Sequence, residues 1–399
     1  MTDLAVGEAS TEVVRTRRGD LLGIAGSAIV VAEFVWLTIV SAKAVHHGGD
    51  PWQTGDWLID LAAGPVRRGL FGELLFTLTD SPNVLWITFG FQIGLLAILT
   101  ALSIVLFWRS PRTTAWFMLA FSPAFLLFPP LSPEGALRKE LFGLAAFSLL
   151  AVAVRLRWRV RSGALAGVVV LFVLGSMAHE LTALMLPAFV YLVDWARRQG
   201  IWSMRAARAT IGVMTVTAVA AVGWALLFPA SPADVSEICS SWTAAGLDRS
   251  LCSGALQFHS RSLSDSVELT KGMFPAYLSL VPLALLSVLP FIVLRVPRRI
   301  WWLLGATFVA LAPLFLVAID YGRWVFVGVG LVSLTCLATW TQDDFGTARA
   351  STWMAIAFVA LWSFPYAGPQ TRDSLLMQVL RSPIEHIVGT PTDRPNFQP

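Results

Sequence analysis

The sequence predicts an all-helical protein that crosses a membrane many times. Of its 399 residues 56% are apolar, and the mean hydropathy is +0.68. Only 14% of the residues are charged, against about 25% in ordinary soluble domains. Apolar runs of about twenty residues recur along the chain, which is the length that a helix needs to span a bilayer. These residues come in blocks and do not alternate, which argues against a transmembrane β-barrel.

Short basic clusters separate the apolar runs and predict which helix ends face the cytoplasm. On this pattern the segment 1–20 is a cytoplasmic tail, 21–366 is a transmembrane catalytic domain, and 367–399 is a polar outer tail. No motif for binding nucleic acid accompanies the basic residues, so nucleic acid is not an expected partner.

The apolar runs predict about eleven spans, with the N-terminus inside and the C-terminus outside. The predicted spans are Leu21–Val45, Asn83–Trp108, Thr113–Pro130, Glu140–Val154, Gly163–Ala178, Leu181–Val193, Ala209–Phe228, Met273–Leu294, Ile300–Ile319, Trp324–Trp340 and Ser351–Pro365. The outer loops are 46–82, 131–139 and 229–272. The spans between residues 113 and 193 are short for a bilayer about 30 Å thick, so either their outer turns are recessed or 163–193 is one long tilted helix.

Charged residues that are not explained as cytoplasmic anchors all fall on the outer side of this topology. They are Asp56, Asp60, Arg67, Arg68, Glu73, Glu134, Arg138, Lys139, Glu140, His179, Glu180, His259, Arg261, Asp320 and Arg323. Because mixed charge beside a membrane is costly, the cluster predicts a functional site.

The first outer loop is the centre of this predicted site. From residue 55 to residue 78 it reads GDWLIDLAAGPVRRGLFGELLFTL. Asp56 or Asp60 could take a proton from an acceptor hydroxyl, or Asp56 could hold Mg²⁺, Mn²⁺ or Ca²⁺ on a phosphate. Either acid could instead be a solvated loop carboxylate or a helix N-cap. Arg67 and Arg68 could clamp a phosphate, or one of them could contact lipid head groups.

The end of the same loop predicts an amphipathic helix that lies along the membrane surface. Gly69 to Thr79 has an apolar face formed by Leu70, Phe71, Leu74, Leu75 and Leu78. Glu73 and Thr77 lie on the opposite face, as expected for a helix at the membrane boundary.

The tips of two predicted hairpins repeat the mixture of charges. Arg138 and Lys139, next to Glu140, could form a second cationic arm over a phosphate or an internal ion pair. His179 and Glu180 could orient a sugar, share a proton, or close a helix turn as a buried polar pair. The sequence that follows lacks the second histidine of H-E-x-x-H, which excludes a metalloprotease site of that class.

Asp320 and Arg323 lie three residues apart, on one face if the segment is helical. They could form a structural ion pair or belong to a sugar or phosphate site. The expected phosphate-binding residues are therefore Arg67, Arg68, Arg138, Lys139 and Arg323. The expected substrate-binding residues are Glu73, His179, Glu180 and Asp320.

The cysteines agree with an outer loop exposed to an oxidising exterior. Cys239 and Cys252 lie in the same predicted outer loop, where they could pair. Cys336 lies within a span and is expected to be a small buried apolar residue. No glycine-rich nucleotide loop and no Ser/His/Asp hydrolase signature occurs in the sequence, so nucleotide-dependent chemistry in the cytoplasm has no support.

This layout resembles the GT-C superfamily, membrane glycosyltransferases that take sugars from polyprenyl-phosphate carriers outside the cytoplasmic membrane. The resemblance rests on the many spans, the acid soon after the first span, the surface-lying helix in the first outer loop and the charged outer turns. It implies that Asp56, with Asp60 second, is the catalytic base or metal contact, and that Arg67, Arg68 and Arg138 bind the carrier phosphate. The chain departs from the family because its first-loop acids are four residues apart and a short tail replaces a large soluble C-terminal domain.

The expected function is transfer of a sugar from a polyprenyl-phosphate donor to a glycan, lipid or protein acceptor, in a bacterial cytoplasmic membrane. One alternative is a polysaccharide polymerase or ligase that uses a polyprenyl-diphosphate-linked glycan. Another is a lipid or solute transporter, although that class typically shows inverted repeats and polar residues at mid-membrane. We find no convincing repeat, and Glu33 is the one acid in the middle of a predicted span. A helical scaffold would leave the outer charges unexplained.

Overall fold

The computed structural model describes residues 17–79, 83–158, 163–341, 350–364 and 374–376. Its secondary structure over these ranges is helical, without a strand. The predicted N-terminal tail up to residue 16 and the predicted outer tail, apart from 374–376, lie outside the described residues, as does the side chain of Glu134.

Helices α1 to α11 come from the first half of the chain. Their bounds are α1 Arg17–His46, α2 Gln53–Leu58, α3 Gly69–Leu78, α4 Asn83–Trp108, α5 Thr114–Ala120, α6 Phe128–Leu131, α7 Pro133–Ala136, α8 Leu141–Arg155, α9 Ala164–Ala178, α10 Glu180–Leu184 and α11 Leu186–Arg198. The second half contributes α12 Met204–Leu227, α13 Pro232–Ala244, α14 Ala255–His259, α15 Leu263–Leu278, α16 Val281–Ser287, α17 Leu289–Val293, α18 Arg298–Leu311, α19 Leu314–Val317, α20 Tyr321–Thr339 and α21 Thr352–Ala360. A 3-10 turn at Arg249–Ser253 lies between α13 and α14.

Five helical segments in the described part of the chain are long and apolar enough to cross a membrane. They are α1, α4, α12, the consecutive α18 and α19 at Arg298–Val317, and α20. The protein therefore has an all-helical fold with several helices that suit a membrane, as the composition predicts.

Prolines interrupt several of the other predicted spans. The run 113–130 becomes α5 and α6, with Pro123 in the turns between them. The run 273–294 becomes the end of α15 followed by α16 and α17, with Pro282 and Pro290 in their first turns. Proline lacks a backbone donor and disfavours helical backbone in the preceding residue, so these segments are short. Helix length alone therefore does not establish eleven spans.

Helices α8 and α20 form the centre of the bundle. They pack against each other, and α8 also packs against α4 and α9. Every residue of α20 from Gly322 to Thr339 is buried. A Cβ on Gly328 would lie 2.8 Å from the Phe308 ring, so the glycine permits a close approach of α18. Small residues at such contacts are typical of helix packing in membranes.

Charged contacts lie at two opposite ends of the bundle. At the basic end, Arg112 pairs with Asp20 at 2.9 Å. Arg155, at the end of α8, donates to the carbonyl oxygens of Arg109 and Trp340, just past the ends of α4 and α20. The starts of α8 and α20 therefore lie at the other end, together with the loop after α1. Most of the outer charges predicted from the sequence lie at this second end.

The segment predicted as outer loop 229–272 is largely helical. It folds onto the predicted first outer loop, and the backbone N–H of Ala255 donates to the Pro51 carbonyl oxygen at 3.0 Å. Cys239 and Cys252, the pair expected from the sequence, form a disulfide that joins α13 to the 3-10 turn, with their Cα atoms 5.7 Å apart. Helix α15 begins at Leu263, well before the predicted start of a span at 273.

Candidate functional site

Glycines hold the loop between α1 and α4, the predicted first outer loop, in a compact fold. A Cβ on Gly72 would clash with the carbonyl oxygen of Ile59, and one on Gly69 would lie 2.7 Å from that of Asp60. Because Cβ atoms do not approach carbonyl oxygens so closely, these positions of α3 require glycine to pack against the end of α2. This packing brings Arg68, the N-cap of α3, next to Asp56 on α2.

The backbone of Arg68 is strained but firmly held. Its φ of 64° lies in the left-handed region, which costs a non-glycine residue about 1–3 kcal/mol. Lys139 Nζ donates to the Arg68 carbonyl oxygen at 3.0 Å, and the N–H of Arg67 donates to the Phe228 carbonyl oxygen at 2.8 Å. Strain that persists because neighbours fix it is often found at functional sites.

Asp56 lies at the centre of a charged cluster that it forms with Arg68, Arg138 and Lys139. It is fully buried, and neither carboxylate oxygen has a hydrogen-bond partner among the described residues. Arg68 Nη1 lies 3.8 Å from Oδ1, and Arg138 Nε lies 3.7 Å from Oδ2. These distances suit ion pairs but are too long for hydrogen bonds. Both oxygens therefore have unused acceptor capacity.

The neighbouring cations keep Asp56 ionised. Burial alone would raise the pKa of Asp56, but the positive charges of Arg138, Lys139 and Arg68 outweigh it and hold that pKa well below its usual range. Burial also lowers the pKa of Lys139 to about 8, although the nearby Asp56 acts in the opposite direction. At neutral pH the cluster therefore holds a carboxylate among positive charges.

Arg138 has an unused donor beside the unused acceptors of Asp56. Its Nη1 donates to the Trp52 carbonyl oxygen, and its guanidinium lies 6.0 Å from the centroid of the Trp52 ring. Its Nε is buried and lacks a hydrogen-bond partner in the described ranges. A buried polar group left unpaired costs about 1–3 kcal/mol, so unpaired donor and acceptors side by side mark a place where a polar ligand would bind.

Glu180 is the main partner of Arg68. Arg68 Nε donates to Glu180 Oε2 at 3.0 Å and to Oε1 at 3.2 Å, and Nη2 also donates to Oε1. Glu180 begins α10 after the break at His179. His179 Nδ1 accepts from the backbone N–H of Leu181 at 3.0 Å. Burial holds the pKa of His179 well below its ordinary value, so the ring is neutral near pH 7.

Arg323 lies at the same end of the bundle but is engaged by two acids. Its Nε and Nη2 donate to Glu140 at 2.7 and 2.6 Å, and its Nη1 donates to Asp320 Oδ2 at 2.5 Å. The predicted pair of Asp320 and Arg323 is thus present, and Glu140 pairs across the bundle with Arg323. These contacts tie the start of α8 to the start of α20.

Asp60 and Glu73 have partners outside the cluster around Asp56. Asp60 Oδ2 accepts from Trp242 Nε1 at 3.2 Å, and its Oδ1 accepts from the Ala62 N–H at 3.1 Å. Glu73 Oε2 accepts from the Leu61 N–H at 3.3 Å. These contacts fix the loop and its docking to α13, and they place neither acid beside the arginines.

Arg67 borders the cluster around Asp56, but its hydrogen bonds are made with His259 at the end of α14. Its Nη2 donates to the His259 carbonyl oxygen at 3.3 Å, and His259 Nε2 donates to the Arg67 carbonyl oxygen at 2.9 Å. Arg67 Nε is buried without a hydrogen-bond partner in the described structure, and the charge of Glu180 acts on this guanidinium. Arg67 therefore has an unused donor near the cluster around Asp56.

The surroundings of Asp56 do not fit a site for a divalent cation. Among the described residues, no group of three His, Cys, Asp or Glu side chains is arranged to hold a metal. The charged groups nearest Asp56 include Arg68, Arg138 and Lys139, which would repel a dication.

Several partners in this region could not be read from the sequence. Trp52 beside Arg138, Trp242 beside Asp60 and His259 beside Arg67 belong to contacts between segments far apart in the chain. The sequence did indicate a partner for Glu140, because an acid at the start of a predicted span requires a cation partner once it is buried.

No protein-family model, curated protein or solved structure matches the chain. The comparisons therefore assign neither a family nor a function, and the chemistry of the cluster is the basis for proposing one.

Proposed function

We propose that the protein is a membrane glycosyltransferase that moves a sugar from a polyprenyl-phosphate donor to a glycan, lipid or protein acceptor. One observation carries the proposal, namely the buried Asp56 with two unpaired oxygens among Arg68, Arg138 and Lys139. A carboxylate next to several cations suits transfer from a phosphate leaving group. The resemblance to the GT-C layout supports the same reaction.

In the proposed reaction, Asp56 takes the proton of the acceptor hydroxyl. The acceptor oxygen forms a bond to the anomeric carbon as the bond from that carbon to the phosphate oxygen breaks. The electron pair of the broken bond stays on the phosphate, so the carrier leaves as a monoester with one more negative charge. Arg68, Arg138 and Lys139 stabilise this charge, an effect that is usually a large part of such catalysis.

The low pKa of Asp56 is compatible with a role as a base. A phosphate bound to the surrounding cations cancels part of their positive field. The pKa of Asp56 then rises toward its ordinary value, which makes the carboxylate a better proton acceptor when the donor is in place.

The proposal places this site on the outer face of a bacterial cytoplasmic membrane. It retains the eleven predicted spans, with the N-terminus inside and the C-terminus outside, and 21–366 as the catalytic domain. The basic end with Arg112 and Arg155 faces the cytoplasm, as the positive-inside tendency favours.

The test supplies the purified protein in lipid vesicles with labelled polyprenyl-phosphate sugars and a mixture of glycan and lipid acceptors. Mass spectrometry of the carrier and the acceptors is expected to show polyprenyl phosphate and a glycosylated acceptor. Release of polyprenyl diphosphate from a diphosphate-linked glycan would instead identify the polymerase or ligase. A labelled lipid or solute that crosses the bilayer unchanged would identify a transporter. Sugar transfer from the polyprenyl-monophosphate donor is expected to continue when a chelator removes divalent cations.

A further inference from the structure

The ion pair between Arg68 and Glu180 is the most accessible part of the Asp56 cluster. The side chains of Arg68 and Glu180 are 18% and 16% exposed, whereas that of Asp56 is fully buried. Arg138 is also nearly covered, with 4% of its side chain exposed. A ligand that approaches Asp56 from solvent therefore meets Arg68 and Glu180 first.

Glu180 occupies the edge of Arg68 that is best suited to a phosphate. The Nε and Nη2 groups of Arg68 both donate to the Glu180 carboxylate. Guanidinium groups bind carboxylates and phosphates with the same paired geometry. The remaining Nη1 lies 3.8 Å from Asp56. Arg68 can therefore offer this edge to a phosphate only after Glu180 leaves it.

Glu180 is placed where its side chain can leave. It begins the five-residue α10, directly after the extended backbone of His179 that separates α10 from α9. Within the described part of the chain, the Glu180 carboxylate accepts hydrogen bonds from Arg68 alone. His179 Nδ1 lies 3.5 Å from Oε2, but it already accepts a hydrogen bond from Leu181 and does not hold Glu180.

We infer that Glu180 is a built-in competitor of the donor phosphate: Glu180 pairs with Arg68 until a phosphate ester binds and displaces it. This inference rests on the proposed function, in which Arg68 binds the carrier phosphate. The exchange keeps Arg68 paired with an anion before and after binding, and it keeps Asp56 covered until a negatively charged ligand arrives. The displaced Glu180, with His179, then borders the sugar.

The test measures binding of hexyl phosphate, a soluble phosphate monoester, to the purified protein by isothermal titration calorimetry. Glu180→Gln is expected to bind it at least about tenfold more tightly than the wild type, because a charged competitor has been removed. Arg68→Gln is expected to lose most of the binding. Asp194→Asn, which removes a carboxylate from the pairs with Arg197 and Arg198 at the basic end, is the matched control and is expected to bind like the wild type.

Glu180→Asp keeps the charge on a shorter side chain and provides a second test if Glu180→Gln does not fold. It is expected to give an intermediate gain in affinity. Unchanged or weaker binding of hexyl phosphate by the folded Glu180 variants would overturn the inference. If that binding still depended on Arg68, the phosphate site of the proposed function would stand. If the folded wild type bound neither hexyl phosphate nor inorganic phosphate, and Glu180→Gln did not restore binding, the phosphate site of the proposed function would fail as well. Inorganic phosphate that binds as tightly as hexyl phosphate, and more tightly still to Glu180→Gln, would support displacement of Glu180 by any phosphate group.

Discussion

Lys139 is a fully buried ammonium group whose charge depends on its surroundings. Burial lowers its pKa from 10.5 to about 8, so the folded protein loses this proton as the pH rises through about 8. The unfolded chain keeps the proton up to its higher pKa, so this group makes folding stability increase with pH in that interval. A loss of phosphate binding above pH 8 would therefore not reflect unfolding driven by Lys139.

We predict that affinity for a phosphate-linked donor decreases as the pH rises above about 8. The two carboxylates that lie near Lys139 are those of Asp56 and Glu180. Both have low pKa values and stay ionised throughout this range, so they do not cause the change. Lys139→Arg should move the decrease to higher pH, because a guanidinium keeps its charge. The measurement is KM for the donor between pH 6 and 10, and identical pH profiles for the two proteins would refute the prediction.

Asp56 and Asp60 show how far single residues could be interpreted from the sequence. Both lie in the first outer loop, and both were predicted to be catalytic. Their difference arises because Trp242, far along the chain, donates to Asp60, while Arg138 and Arg68 lie beside Asp56. The sequence predicted a charged outer cluster, but these partners depend on tertiary packing that residue spacing does not encode.

At the scale of single elements, the site depends on the close contact of α2 and α3. Gly72 lies where α3 meets the end of α2, and a Cβ there would clash with the Ile59 carbonyl oxygen. The backbone carbonyl cannot rotate away as a flexible side chain could. Any larger residue at 72 must therefore move α3, and with it Arg68.

We predict that Gly72→Ala lowers the free energy of unfolding by about 1–3 kcal/mol, the usual cost of overpacking. The matched control is Gly94→Ala in α4, where an added Cβ would meet nothing within 4 Å. Alanine at 94 should leave stability unchanged or raise it, because alanine favours helix. Thermal unfolding in detergent measures both variants, and equal midpoints would contradict the tight contact at Gly72.

Long uninterrupted helices were the elements best predicted from the sequence. The predicted spans Leu21–Val45 and Asn83–Trp108 correspond to α1 and α4, and Trp324–Trp340 corresponds to α20. Runs that contain prolines break into shorter helices because proline removes a donor and crowds the preceding turn. The helices within 229–272 were missed because that segment is polar and lacks the long apolar pattern of a span.

At the scale of the whole molecule, the proposed function requires the two charged ends to face opposite sides of a membrane. Ala62 is exposed near the Asp56 end, and Gln199 is exposed at the end of α11, near the basic end. The native cysteines give little background, because Cys239 and Cys252 form a disulfide and Cys336 is buried.

We predict that Ala62→Cys reacts with a membrane-impermeant maleimide in intact cells stripped of their wall, whereas Gln199→Cys reacts only after lysis. The reason is the positive-inside tendency, which assigns the basic end to the cytoplasm. Labelling of Gln199→Cys alone in intact cells would show the reverse orientation. The wild-type protein serves as the control for background labelling.

The cluster around Asp56 is the centre of the proposed function, and the same substitution at two aspartates tests its role. Asp56→Asn removes the proposed base, whereas Asp60→Asn keeps an oxygen that can accept from Trp242 or Ala62. The measurement is the rate of sugar transfer from a polyprenyl-phosphate donor, with folding of each variant checked by thermal unfolding. We predict that Asp56→Asn lowers the rate at least about 100-fold and that Asp60→Asn keeps most of it. Full activity in folded Asp56→Asn would contradict the account.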